Sequence, residues 1–190
     1  MARSVAVPIE LGRYGALPLV LCGFMGVGKS TVGRRLANRL ERPFVDLDHR
    51  LEEQFGTSIS ALFQAGREAE FRSAEAAELQ RLLAEHPPMV VALGGGAVED
   101  AATRELLHER AFTIHIDQRF DDLIPALNRL RATRPLLAAR SNEEIHALYL
   151  RRRANYLVAS LTVTIARAGV ARATRDVVTA INAFVEKDPR

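Results

Sequence analysis

A chain of 190 residues has the length of one globular domain, and 48% hydrophobic with 26% charged residues is an ordinary folded composition, which excludes a disordered or fibrous protein. The 26 basic residues are nearly balanced by 23 acidic residues, which argues against a nucleic-acid-binding protein. The single cysteine, Cys22, excludes an intramolecular disulfide and fits a reducing compartment.

The longest apolar stretch covers residues 16–27 and is interrupted by Pro18, Gly23 and Gly26. It is shorter than the ~20 residues that a membrane-spanning helix needs. It also runs straight into a glycine-rich motif, where a secretory signal would have its cleavage site. We therefore expect no membrane segment and no secretory signal, and we expect a cytoplasmic monomer.

The first sixteen residues differ from the rest of the chain. They contain Pro8, Gly12 and Gly15 and show no hydrophobic period. We therefore expect residues 1–16 to form a poorly ordered leader and residues 17–190 to form a single domain.

From residue 17 onward, short apolar runs alternate with amphipathic or Ala-, Glu- and Leu-rich segments. This alternation predicts an α/β fold with three layers, α/β/α, around a five-stranded parallel sheet. In such a sheet, ligands bind beyond the carboxyl ends of the strands. The predicted strands are 17–22, 44–46, 89–92, 112–116 and 161–165. The predicted helices are 30–40, 51–55, 59–63, 68–86, 101–110, 120–130 and 172–185. A further helix is predicted to begin at the capping box 141–144.

A phosphate-binding motif follows the first predicted strand. Residues 23–30, Gly-Phe-Met-Gly-Val-Gly-Lys-Ser, fit the P-loop pattern G-x-x-x-x-G-K-[ST] between a strand and a helix. Lysine occurs elsewhere only at Lys187, so Lys29 is not a chance member of a lysine-rich segment. Lys29 is expected to hold the β- and γ-phosphates of ATP, and Ser30 to bind Mg²⁺. The expected nucleotide-binding residues are Gly26, Val27, Gly28, Lys29, Ser30 and Thr31.

Two carboxylates, Asp46 and Asp48, follow the second predicted strand. One of them could serve the metal, and the other could orient an acceptor hydroxyl or accept its proton. Both can face the same end of the sheet only if the strand ends there in a turn. The pair alone is weak evidence, because Asp-x-Asp is also ordinary turn chemistry.

Five motifs occur in an order and at separations similar to those of the shikimate kinase family: 23–30, Phe-Val-Asp-Leu-Asp at 44–48, Glu-Phe-Arg at 70–72, Gly-Gly-Gly-Ala-Val at 94–98 and Arg-Pro-Leu-Leu at 134–137. The chain resembles this family over roughly residues 17–185. The resemblance implies a P-loop fold of the nucleoside monophosphate kinase type. It also implies phosphorylation of the 3-hydroxyl of shikimate, with ATP and Mg²⁺ and without nucleic-acid or membrane partners.

The resemblance also implies roles for individual residues. Asp46 would help Ser30 to hold Mg²⁺, whereas Asp48 would bind the shikimate hydroxyls and act as a base. Arg72 would pair with the shikimate carboxylate. Three glycines would offer their backbone to the substrate ring: Gly94, Gly95 and Gly96.

Two further arginines are implied by the same resemblance. Arg134 is similar to an arginine in a mobile lid, here approximately residues 131–140, that closes over the phosphates and stabilises charge during transfer. A second carboxylate-binding arginine is expected four residues before a tyrosine, and Arg152 with Tyr156 satisfies that spacing. The adjacent arginines at 151 and 153 leave the choice open, and we favour Arg152.

Three alternatives remain at this point. The first is a kinase of similar fold for another small hydroxy acid such as gluconate. The second is a catalytically silent kinase-like domain that senses a ligand, although such a domain would have no need to keep Lys29, Ser30 and Asp46. The third is a nucleic-acid NTPase, which would need a larger basic surface. Arg167 is a weak candidate for contact with adenine.

Overall fold

The computed structural model describes residues 8–85, 88–131, 137, 140–166 and 169–188. Within these residues, five parallel strands form one sheet in the order β2-β3-β1-β4-β5, and helices flank it. The predicted α/β fold of the P-loop type is therefore confirmed. The strands are β1 (Leu19–Cys22), β2 (Phe44–Asp46), β3 (Val90–Ala92), β4 (Phe112–Asp117) and β5 (Leu161–Thr164).

The helices occupy the segments between the strands, close to their predicted bounds. They are α1 (Lys29–Leu40), α2 (Leu47–Phe55), α3 (Ile59–Gln64), α4 (Glu68–Glu85), α5 (Ala101–Arg110), α6 (Phe120–Arg131), α7 (Asn142–Asn155) and α8 (Val170–Lys187). The capping box at Ser141 and Glu144 is present at the start of α7. None of the helices in the described segments is long and apolar enough to cross a membrane.

The order of the strands determines where a ligand can bind. The chain moves outward from β1 to β2, returns to β3 beside β1, and continues on the other side of β1 with β4. Leu19 of β1 lies in register with Val90 of β3 and with Phe112 of β4, so the three strands end at the same edge. The loops after β1 and β3 therefore lie side by side at the carboxyl edge of the sheet, where a reversal of strand order opens a crevice.

The central strands are buried on both faces, as a parallel sheet covered by helices requires. Cys22, the last residue of β1, is 1% exposed, and burial raises the pKa of its thiol to about 12, which favours the neutral thiol. Helix α1 approaches the sheet through Gly33, where an added Cβ would lie 2.7 Å from Cε2 of Phe44. Glycine at this position therefore allows the phosphate-binding helix to pack closely on β2.

The leader differs from the expectation of a poorly ordered segment over its described residues, 8–16. Residues 12–16 form a 3-10 helix, and Leu11 is 7% exposed. The ring of Tyr14 stacks on Phe112 of β4 at a centroid distance of 4.5 Å and contacts Phe184 of α8 at 5.7 Å. These apolar contacts fix the segment at the edge of the sheet opposite the carboxyl ends. The sequence showed no period here because two anchoring residues are too few to create one.

Candidate active site

The P-loop turn requires glycine at three positions, for two different reasons. Gly26 and Gly28 have φ of 83° and 95°, in the left-handed region that side chains avoid, and an added Cβ at Gly28 would contact nothing within 4 Å. Gly23 also has a positive φ, 144°, and in addition it lies against the backbone of β4, where a Cβ would overlap the carbonyl oxygen of Ile116. The turn thus leaves open space at the start of α1, where phosphate oxygens can approach the backbone amides.

Lys29 lies inside this turn and is 8% exposed. Its Nζ donates hydrogen bonds to the carbonyl oxygens of Gly23 at 2.9 Å and Phe24 at 3.2 Å. The ammonium group therefore stands at the centre of the loop. The side chains of Ser30 and Thr31, in the first turn of α1, are exposed at the same end of the helix.

The two aspartates lie at a direct change from strand to helix. Strand β2 ends at Asp46, and α2 begins at the next residue. Oδ1 of Asp46 accepts a hydrogen bond from the backbone N–H of His49 at 3.4 Å and caps the helix. Asp48 then lies in the first helical turn. The change of backbone conformation brings both carboxylates to the carboxyl edge of the sheet, which a continued strand could not do.

Asp48 reaches the three-glycine turn that follows β3. An added Cβ at Gly94 would lie 2.5 Å from Oδ1 of Asp48 and 2.7 Å from Oε1 of Glu75. An added Cβ at Gly95 would lie 3.3 Å from the backbone nitrogen of Met25, inside the P-loop. The turn is therefore the place where the phosphate loop and the carboxylates meet.

Two guanidinium groups meet at the next glycine of the turn. An added Cβ at Gly96 would lie 2.9 Å from Nη2 of Arg72 and 3.0 Å from Nη2 of Arg152. Arg72 comes from α4, and its guanidinium lies over the rings of Phe71 and Phe63, at 5.2 and 5.5 Å from the centroids. Two cationic forks from different helices thus face one small space, which suits a carboxylate.

The structure distinguishes the three adjacent arginines of α7. Arg152 is 8% exposed, and its Nε donates to Glu99 at 2.8 Å. Arg151 is largely exposed beside Glu99, and Arg153 pairs at 2.8 Å with Asp117, the last residue of β4. Of these three arginines, Arg152 is the one whose guanidinium is among the atoms nearest to a Cβ added at Gly96.

Glu75 is a site residue that the sequence reasoning missed. It is 4% exposed, its Oε2 accepts from Arg72 at 2.7 Å, and its Oε1 has no hydrogen-bond partner among the described residues. Burial raises the pKa of its carboxyl, Arg72 opposes this shift, and nearby Asp48 adds to it. Its position three residues after Arg72 on the same helix was the available signal.

A cavity of about 590 Å³ lies at the three-glycine turn and is bordered by Met25 of the P-loop. One wall is apolar and includes Ile59, Phe63 and Phe71. The polar lining includes Asp48, Arg72, Arg152 and the three glycines. Leu137 and Arg140, from the far end of the expected lid, also border it. Arg134 and Arg167 lie outside the described residues.

The chain was compared with known proteins. The family model for shikimate kinase matches residues 25–183. A shikimate kinase from Bradyrhizobium diazoefficiens is 40% identical over 168 residues, covering 84% of this chain and 80% of the relative. A shikimate kinase from Xanthomonas campestris pv. campestris is 40% identical over 162 residues, covering 84% and 89%.

A solved structure shows that the similarity extends from the sequence to the fold. The shikimate kinase from Acinetobacter baumannii, in complex with shikimate, matches with a TM-score of 0.76 and 31% identity, covering 92% of this chain and 96% of that one. The resemblance inferred from the five motifs is thus confirmed, and shikimate is favoured over gluconate as the acceptor. This chain belongs to the shikimate kinase family.

Proposed function

We propose that this protein transfers the γ-phosphoryl group of ATP to the 3-hydroxyl of shikimate at the cavity described above. The observation that carries the proposal is the convergence of Asp48 and two guanidinium groups on the three-glycine turn, next to the P-loop. A small acid with several hydroxyls needs a cationic fork for its carboxylate and an acceptor for a hydroxyl proton. The cavity offers both within reach of the phosphate loop.

On the nucleotide side, the amides of residues 26–31 and the ammonium of Lys29 would bind the phosphates. The left-handed backbone at Gly26 and Gly28 supports this role, and at Gly28 an added Cβ would contact nothing within 4 Å, so the amide surface there is open. Lys29 would exchange its bonds to the loop carbonyls for bonds to the β- and γ-phosphate oxygens.

Magnesium would bind at the same edge of the sheet. The hydroxyl of Ser30 at the start of α1 and the carboxylate of Asp46 at the end of β2 are oxygen donors, which Mg²⁺ prefers. The metal would neutralise charge on the phosphates. Asp46 already accepts a helix-capping hydrogen bond from His49, which fixes one of its oxygens.

On the acceptor side, Arg72 and Arg152 would hold the carboxylate, and Asp48 would receive the proton of the attacking hydroxyl. The bond from that oxygen to the γ-phosphorus forms while the bond to the β,γ-bridging oxygen breaks, and ADP leaves. Buried Glu75 supports this role, because its bond to Arg72 fixes the guanidinium. Arg134 would close over the phosphates with the lid and help to exclude water.

A coupled assay of ADP formation with shikimate and gluconate tests the proposal directly. We expect ADP to form with ATP, Mg²⁺ and shikimate, and Lys29→Ala to abolish it. Lys187→Ala is the matched control, because it removes the only other lysine from an exposed site at the end of α8. Turnover of gluconate alone, or no turnover at all, would reject the proposal in favour of a gluconate kinase or a silent sensing domain.

A further inference from the structure

The end of helix α7 and the residue that follows it present two side chains to the three-glycine turn. Arg152 lies in the last turn of α7, and Tyr156 directly follows the helix with helical backbone angles, so the two side chains, four residues apart, lie on the same face. Arg152 reaches Gly96, and the hydroxyl of Tyr156 donates a hydrogen bond of 2.6 Å to the carbonyl oxygen of Gly95. The end of α7 and the 3-10 helix that follows it therefore hold two successive glycines of the turn.

The ring of Tyr156 is fixed from its other side. Tyr156 is 1% exposed, and its ring stacks on His115 with the centroids 4.9 Å apart and the planes 28° apart. His115 lies in β4 in register with Cys22, the last residue of β1 before the P-loop. The hydroxyl thus extends from a ring that the centre of the sheet holds in place.

Gly95 also lies against the phosphate loop. An added Cβ on Gly95 would lie 3.3 Å from the nitrogen and 3.7 Å from the Cα of Met25. A shift of the Gly95 peptide would therefore change the distance between the acceptor turn and the P-loop. In-line transfer requires the reacting atoms to be within about 3–3.5 Å, so such a shift would be felt in the reaction.

We propose that Tyr156 is a positioning residue, whose hydroxyl tethers the Gly95 carbonyl and thereby holds the three-glycine turn at its working distance from the P-loop. This inference rests on the proposed function, since it takes that turn as the binding surface for the acceptor. Tyr156 touches neither substrate in this role. Burial raises the pKa of its hydroxyl above the ordinary value of 10, so the hydroxyl keeps the proton that it donates.

Tyr156→Phe tests the tether, because it keeps the ring and its stacking on His115 and removes only the hydroxyl. We expect the KM for shikimate to rise on the order of fivefold, the factor that corresponds to one lost hydrogen bond, with a lower kcat and an unchanged KM for ATP. Tyr149→Phe is the matched control. It removes another buried hydroxyl, bonded to the carbonyl of Gln118 at 3.1 Å, and should leave the KM for shikimate unchanged.

Two outcomes of the kinetics would overturn the inference. One is a Tyr156→Phe protein whose kcat and KM for shikimate stay within twofold of the parent. The other is an equal rise in both KM values, which would indicate general loosening of the fold rather than displacement of the acceptor turn. Thermal unfolding of both variants shows whether their losses of stability are comparable.

Amide resonances of the full chain without substrates test the tether independently of turnover. In ¹⁵N–¹H spectra, Tyr156→Phe should shift Gly95, Gly96 and Met25 more than other residues, whereas shifts confined to His115 and its neighbours would refute the tether. A parent protein without shikimate-dependent ADP formation would refute the proposed function and the kinetic role of Tyr156. The resonances would then still decide whether the tether exists.

Discussion

The guanidinium groups of Arg72 and Arg152 come together at Gly96, although the two residues are 80 positions apart in the sequence. Each is fixed by a carboxylate of its own: Arg72 by Glu75 at 2.7 Å and Arg152 by Glu99. Two like charges can be held this close because each has an acidic partner. Each guanidinium has five N–H donors, so N–H groups outside these ion pairs can bind a shared anion.

Gly96→Ala should weaken the binding of shikimate and leave the binding of ATP nearly unchanged. Gly96 has an ordinary φ of −110°, so alanine would cause no backbone strain, but its Cβ would lie 2.9–3.0 Å from both guanidinium groups. We expect the KM for shikimate to rise on the order of tenfold, with little change in the KM for ATP, as steady-state kinetics would show. Gly15→Ala is a control in the leader, where the added Cβ meets only Leu11 at 4.0 Å.

Lysine substitutions should distinguish Arg152 from its neighbour Arg151. Arg152→Lys keeps the charge but loses the planar fork, so we expect kcat/KM for shikimate to fall about 10- to 100-fold. Arg151→Lys changes a side chain that is 66% exposed and should remain within about twofold of the parent. An equal loss in both variants would contradict the assignment of Arg152 to the acceptor site.

Much of the site could be predicted because its residues belong to local motifs. The P-loop, the aspartate pair and the three glycines each lie at or just after the end of a strand, and a parallel sheet brings such segments to one edge. The choice of Arg152 was also within reach, since Ile145, Leu148 and Tyr149 mark the buried face of α7 at the same helical spacing.

Other features depend on contacts that no local pattern reports. Glu75 resembles any acidic residue of a helix rich in glutamate, and only the folded chain shows that it is buried beside Asp48 and Arg72. The hydrogen bond from Tyr156 to Gly95 joins residues 61 positions apart. Long-range pairing of this kind follows from the packing of the helices on the sheet, so one sequence without homologues does not reveal it.

The packed leader should contribute to stability but not to catalysis. Tyr14→Ala removes a half-buried ring that lies against Phe112 and Phe184, so we expect the free energy of unfolding to fall by about 1–3 kcal/mol. Denaturant titration measures this change. Because the ring lies at the edge of the sheet opposite the glycine turn, the KM for shikimate should be unchanged. A stability equal to that of the parent would mean that the ring of Tyr14 does not pack on Phe112 and Phe184 in solution.

His115 should make the protein sensitive to acid. Burial lowers the pKa of His115 from the ordinary value of 6.5 to about 4; Asp117 opposes this shift, and Arg153 and Lys29 add to it. Between these two pH values the unfolded chain binds a proton at this residue that the folded protein does not. The free energy of unfolding should therefore decrease as the pH falls from 6.5 to 4, by about 3 kcal/mol from this residue.

His115→Phe removes the titrating ring and keeps an aromatic partner for Tyr156. Denaturant unfolding between pH 4 and 7 should show a smaller loss of stability with falling pH in this variant than in the parent. The reason is that protonation of His115 no longer contributes, while the other titrating groups are present in both proteins. His108→Gln, an exposed substitution on α5, is the control and should follow the parent curve. Parallel curves for His115→Phe and the parent would mean that His115 does not stay neutral when the protein folds, since a group that titrates alike in both states adds no slope.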